Sequence, residues 1–95
     1  MADVCVIDGG YIGLSAALHL AERGYRVVMV EENRIGCGAS GHNGGQIVTD
    51  FSGDLAPLER RHGFDHASRH RRLAEEAKTL LRTLIERHHI SCSLQ

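Results

Sequence analysis

At 95 residues and 10.4 kDa the chain is small for more than one domain, and it can bury only a modest core. Hydrophobic residues make up 42%, with a single proline at Pro57, which excludes a disordered tail or a disulfide-rich scaffold. A net charge of −1 excludes the overall basicity of a nucleic-acid binder, although the halves differ. Residues 1–57 carry three arginines against seven acids, and residues 58–95 carry eight basic groups against five acidic ones.

The first run, Val4-Cys5-Val6-Ile7, is apolar, mostly β-branched and closed by Asp8-Gly9-Gly10. It has the pattern of a strand buried on both faces. Over 11–23 the apolar Leu14, Ala17, Leu18 and Ala21 fall at i, i+3, i+4 and i+7, and Gly24 follows as a stop, which predicts an amphipathic helix. Residues 26–30, Arg-Val-Val-Met-Val, predict a second buried strand ending at Glu31-Glu32. Strand, helix and strand in this order predict a parallel βαβ unit of an open α/β sheet, and such sheets bind ligands beyond the carboxyl ends of their strands.

Residues 36–45 hold five glycines in ten positions, too many for regular structure. A turn is expected around Ser52-Gly53-Asp54, then a short helix over 55–62 stopped by Gly63. A long helix capped by Asp65 is predicted to run to about His89, with Ala67, Ala74, Ala77, Leu81, Leu84 and Ile85 roughly on one face. The alternation over 90–94 predicts the start of a further strand.

The chemistry concentrates at the first turn. The dinucleotide fingerprint G-x-G-x-x-G needs its first glycine for a tight turn, its second for close approach of the pyrophosphate and its third for helix–strand packing. Here Gly10 and Gly13 supply the second and third, and Asp8 stands in place of the first. Glu31, at the end of the next strand, has the expected spacing for an acceptor of ribose hydroxyl hydrogen bonds, with Glu32 a bystander. Its negative charge argues against a 2′-phosphate. The fingerprint alone leaves NAD and FAD both open.

The run Gly36-Cys37-Gly38-Ala39-Ser40-Gly41-His42-Asn43-Gly44-Gly45-Gln46 closely resembles the G-x-G-A-S-G-R-N-G-G-Q segment of FAD-dependent amine oxidases. These belong to the D-amino-acid oxidase and glycine oxidase superfamily, and the gamma-glutamylputrescine oxidase branch is the most similar. The stretches 4–21 and 61–65, and the long helix leading to Ile90-Ser91-Cys92, share the resemblance. It spans nearly the whole chain but roughly the first quarter of such an enzyme.

The resemblance implies a Rossmann-like FAD-binding segment with the substrate domain absent from these residues. It implies FAD pyrophosphate at Gly10, Tyr11, Ile12 and Gly13, ribose at Glu31, and Ala39, Ser40, Gly44, Gly45 and Gln46 lining the approach to the phosphates and flavin. It further implies a small-molecule amine or amino acid as substrate, oxidised at the flavin. No catalytic side chain is expected within this segment, and the isolated segment is expected to be inactive. Two other readings stay open: a βαβ remnant that no longer binds nucleotide, and a fragment of an NAD-dependent dehydrogenase.

Three residues depart from the family pattern: Asp8 for glycine, His42 for arginine and Cys37 for an aromatic. A carboxylate about 4 Å from a phosphate costs on the order of 1–4 kcal/mol, so Asp8 is expected to weaken FAD binding.

His62, His66 and His70 are spaced by four, but Gly63 is expected to break the helix and no cysteine pair accompanies them, so a solvated face is expected rather than a metal site. The arginines of 60–72, followed by Glu75, Glu76 and Glu86 and without aromatics, suggest the same and not nucleic acid. Three scattered cysteines, the absence of a basic leader and the lack of a bilayer-length apolar run predict a cytoplasmic protein without membrane partners.

Overall fold

The computed structural model describes residues 1–48 and 55–95, which belong to two compact units, Met1–Gly45 and Gln46–Gln95. The turn expected around Ser52-Gly53-Asp54 lies outside the described residues.

The first unit is the βαβ arrangement. Strand β1 (Val4–Ile7), helix α1 (Tyr11–Glu22) and strand β2 (Val27–Val30) follow in order, and a short 3₁₀ turn at Ala39–Gly41 interrupts the glycine-rich loop. β1 and β2 pair in parallel with Val4 opposite Val27 and Ile7 opposite Val30. The pairing runs one residue further, because the Asp8 N–H donates to the Val30 carbonyl at 3.1 Å.

The strands are not buried on both faces, contrary to their composition. Val4, Val6, Val27 and Met29 are half-buried, whereas Cys5, Ile7, Val28 and Val30 are exposed, Ile7 to 83%. Burial on both faces requires a layer on each side, and α1 packs against β1 and β2 as a single layer. Within the first unit the alternate face therefore stays open.

Helix α1 ends where Gly24 predicts. The Gly24 N–H donates to the Ala21 carbonyl at 2.9 Å and the Tyr25 N–H to the Leu20 carbonyl at 3.1 Å, with Gly24 at φ +89°. This pair of bonds satisfies two terminal carbonyls, and its left-handed position favours glycine.

In the second unit α2 (Leu55–His62) and α3 (Phe64–Arg87) pack together. Pro57 lies in the first turn of α2, where no intrahelical N–H is required. Gly63, at φ +88°, separates the helices and is itself the residue that precedes α3. The expected Asp65 cap is therefore replaced: Asp65 falls inside the first turn, where its charge still complements the helix dipole, and no side chain caps α3.

Ala67 and Leu84 are buried and Ala74 and Ile85 half-buried, while Ala77 and Leu81 are exposed, so the apolar face is narrower than the sequence pattern. The expected strand over 90–94 does not form. Alternation supplies a strand's faces but not its ladder, which requires a hydrogen-bonding neighbour. No helix among the described residues is long and apolar enough to cross a membrane.

Candidate functional site

The site is built where β1 stops and α1 starts. A helix start leaves its first N–H groups without intrahelical acceptors and carries a partial positive charge, so this turn favours anions. Asp8, at φ +156°, opens the turn. Its Oδ1 accepts the Gly10 N–H at 2.9 Å and its Oδ2 the Gly13 N–H at 3.2 Å.

Glu31, half-buried at the end of β2, reaches back across the strand pair: its Oε2 accepts the Gly9 N–H at 2.7 Å, and its Oε1 accepts the Asn33 N–H at 3.0 Å. The Tyr11 N–H donates to Ser40 Oγ at 3.0 Å, which brings the glycine-rich loop onto the helix start. A second tie joins the Gly36 N–H to the Gly9 carbonyl at 2.9 Å.

A Cβ would meet a close neighbour at each glycine of the turn, and at Gly13 that neighbour is backbone. A Cβ on Gly10 would lie 2.9 Å from Ser40 Oγ, and one on Gly9 would lie 2.7 Å from Glu31 Oε2. A Cβ on Gly13, which is buried, would overlap the Asp8 carbonyl oxygen. This is the close helix–strand packing that the third fingerprint glycine provides.

An open cleft of about 500 Å³ results, and its walls include Asp8, Gly10, Tyr11, Ile12, Glu31 and Ser40, with Ala39 and Cys37 on the loop side. The structure thus brings seven of the expected residues together: Gly10, Tyr11, Ile12, Glu31, Ala39 and Ser40 line the cleft, and Gly13 packs beneath it. Gly44 and Gly45 do not line it, and Gln46 falls in the second unit.

One organising residue escapes the sequence pattern. Asn43 Nδ2 donates to Tyr11 Oη at 2.8 Å, to the Ser40 carbonyl at 2.8 Å and to the Ala39 carbonyl at 3.3 Å, and its Oδ1 accepts the Gly45 N–H at 2.8 Å. His42, the departure from arginine, places its ring Nδ1 2.8 Å from the Gly38 carbonyl. Both residues spend their polar atoms on shaping the loop.

In the second unit the His62 and His66 rings lie 6.1 Å apart across the break at Gly63. Among the described residues no group of three or more His, Cys, Asp or Glu side chains is gathered as a metal site.

A parallel strand pair joined by a helix, a glycine turn at the helix start and an acidic residue closing the second strand define a Rossmann-like dinucleotide-binding unit. The chain belongs to the DAO family of FAD dependent oxidoreductases, whose pattern matches residues 3–95. It is 49% identical over 90 residues to gamma-glutamylputrescine oxidoreductase of Escherichia coli (strain K12), covering 95% of this chain and 21% of that protein. It is 41% identical over 91 residues to the probable oxidoreductase OrdL of Haemophilus influenzae, covering 96% of this chain and 21% of that protein. The OrdL of Rhizobium meliloti is 42% identical over 89 residues, covering 94% of this chain and 21% of that protein. The chain therefore spans about a fifth of the length of these curated relatives. No solved structure matches it.

FAD is the cofactor of the family, and the cleft suits it. The glycine turn brings the backbone close to the surface where a Cβ would intrude, and a carboxylate closes the second strand. The one residue in conflict with a phosphate is Asp8.

Proposed function

We propose that these residues form the part of an FAD-dependent amine oxidoreductase that holds the adenosine and pyrophosphate of the cofactor. The observation that carries the proposal is Glu31: 22 positions after Gly9, its carboxylate meets the Gly9 N–H at 2.7 Å beside the amide-rich start of α1. Gly10, Tyr11, Ile12 and Gly13 would face the pyrophosphate, and Glu31 the ribose hydroxyls. Ala39 and Ser40, and beyond them Gly44 and Gly45, would border the path toward the flavin.

The chemistry supplied by FAD when bound is two-electron oxidation, in this case of an amine. The residues of this chain bind and orient, and none is assigned a proton transfer. The substrate class follows the name of the Escherichia coli relative, so gamma-glutamylputrescine or a related small amine or amino acid is the proposed substrate of the whole protein.

Titration of the chain and of its Asp8→Gly variant with FAD, followed by quenching of flavin fluorescence, tests the cofactor site. Saturable binding that weakens on Glu31→Ala is expected. Tighter binding of NAD than of FAD, or no saturable FAD binding by either protein, would overturn the proposal.

A further inference from the structure

We infer that the dinucleotide cradle of this chain carries its own anion, the Asp8 carboxylate, and that FAD enters by displacing it. The inference rests on the FAD-site proposal above. Four N–H groups crowd the turn, and each is already met by a side chain of the chain itself: Gly9 by Glu31, Gly10 and Gly13 by Asp8, and Tyr11 by Ser40. Two of these acceptors are compatible with a bound dinucleotide. Glu31 sits at the ribose end, and Ser40 belongs to the loop wall.

Asp8 is different. Its Oδ1 takes the Gly10 N–H at 2.9 Å, at the glycine where the fingerprint brings the backbone close to a pyrophosphate, and its Oδ2 anchors on the Gly13 N–H at 3.2 Å beneath the cleft. A phosphate oxygen and the Asp8 carboxylate cannot share the Gly10 N–H, and their like charges repel. Asp8 is exposed, so rotation of its side chain into solvent frees both amides without disturbing β1. Entry of FAD is thus an exchange of one anion for another. The cradle keeps its shape when empty, and affinity is lowered by the competition.

The exchange is tested on the full chain with Asp8→Asn and Asp8→Gly, after far-ultraviolet circular dichroism has shown equal helix content. Two readouts are needed. In the first, FAD affinity is followed by flavin fluorescence at low and high salt. Asp8→Gly is expected to bind about tenfold more tightly or better, the scale of releasing a charge-assisted pair of hydrogen bonds. Asp8→Asn, which keeps an acceptor oxygen but loses the charge, should fall between, and its advantage should shrink as salt rises.

The second readout needs no FAD. The Gly10 and Gly13 amide resonances of the free chain should shift on Asp8→Asn, with the Leu14 amide, bonded to the Gly10 carbonyl at 3.0 Å, as the internal control. Equal FAD affinity for all three proteins would overturn the exchange and leave the FAD site standing. Unmoved Gly10 and Gly13 resonances would overturn the occupancy whatever the FAD result. Failure of all three to bind FAD would overturn the site itself, and the exchange with it.

Discussion

Glu31 and Gly9, 22 positions apart, are joined by a 2.7 Å hydrogen bond from the Gly9 N–H to Glu31 Oε2 that ties the end of β2 to the turn leaving β1. Gly9 is buried, so its N–H has no alternative partner in water. Losing the acceptor from a buried donor costs about 1–3 kcal/mol. Glu31→Ala should destabilise the first unit by that amount, and Glu31→Gln, which keeps an acceptor oxygen, by less than half of it. Urea unfolding followed by tyrosine fluorescence reads the first unit alone, because Tyr11 and Tyr25 are the only tyrosines. Equal midpoints for the two variants would show that the bond is not held in solution.

Gly13 tests the packing of α1 on the turn. A Cβ there would overlap the Asp8 carbonyl oxygen and come within 2.8 Å of its carbon, both of them backbone atoms that cannot step aside. Overpacking costs about 1–3 kcal/mol, typically more than the ~1 kcal/mol of helix propensity that alanine gains over glycine. Gly13→Ala should therefore be destabilising in the same urea assay. Gly44→Ala, where a Cβ meets nothing within 4 Å, should stay within about 0.5 kcal/mol of the unmodified chain. A neutral Gly13→Ala would mean that α1 sits further from the turn.

Asn43 predicts an order of effects. It holds Tyr11 Oη, two loop carbonyls and the Gly45 N–H with one side chain, so Asn43→Ala releases all four groups, whereas Tyr11→Phe releases one. A net hydrogen bond is worth about 0.5–1.5 kcal/mol. Hydrogen exchange at the Gly45 amide should accelerate by about tenfold in Asn43→Ala and remain nearly unchanged in Tyr11→Phe. Equal exchange in the two variants would remove Asn43 as the organiser of the loop.

The elements legible in the sequence are those written by local signals. β1, α1 and β2 come from apolar periodicity punctuated by Gly9-Gly10 and Gly24, and the candidate site from the fingerprint spacing to Glu31. What escaped depends on partners distant in sequence or missing from the layer. The strands' composition reads as fully buried, yet only α1 covers them within their unit. The alternation after Ile90 found no ladder to join. Asn43 reaches Tyr11 across 32 positions, a contact no local pattern encodes. The end of α3 was legible only in position: His89 takes φ +50°, and its N–H donates to the Glu86 carbonyl at 3.2 Å in a turn that usually selects glycine. Asp8 was visible as a departure from the fingerprint, but that its carboxylate accepts the Gly10 and Gly13 N–H groups is a matter of geometry.

Asp3 and Arg26 close the other end of the strand pair, and they carry a pH prediction. The Arg26 guanidinium grips the Asp3 carboxylate with Nη2 at 2.8 Å and Nε at 3.1 Å, and the Arg26 backbone N–H adds a third bond at 2.8 Å. These bonds, the guanidinium's first and the backbone's second, hold the Asp3 carboxyl below its ordinary value of 3.8, and the side-chain pair raises that of Arg26. A carboxyl depressed in the folded state stabilises it at every pH above 3.8, and the contribution is lost as pH falls through the lowered folded value. The Asp3–Arg26 clamp should therefore be constant from neutral pH to about 4 and weaken only below it. Both side chains face solvent, so the clamp should also soften with salt. The Asp3 side-chain carboxyl carbon, followed by NMR from neutral to acid pH, should titrate below 3.8 in the unmodified chain. In Arg26→Gln it should move back toward that value but not reach it, because the backbone N–H at position 26 still donates. An identical titration in the two proteins would show that the guanidinium does not hold this carboxylate, leaving the Arg26 backbone N–H as its partner at that end.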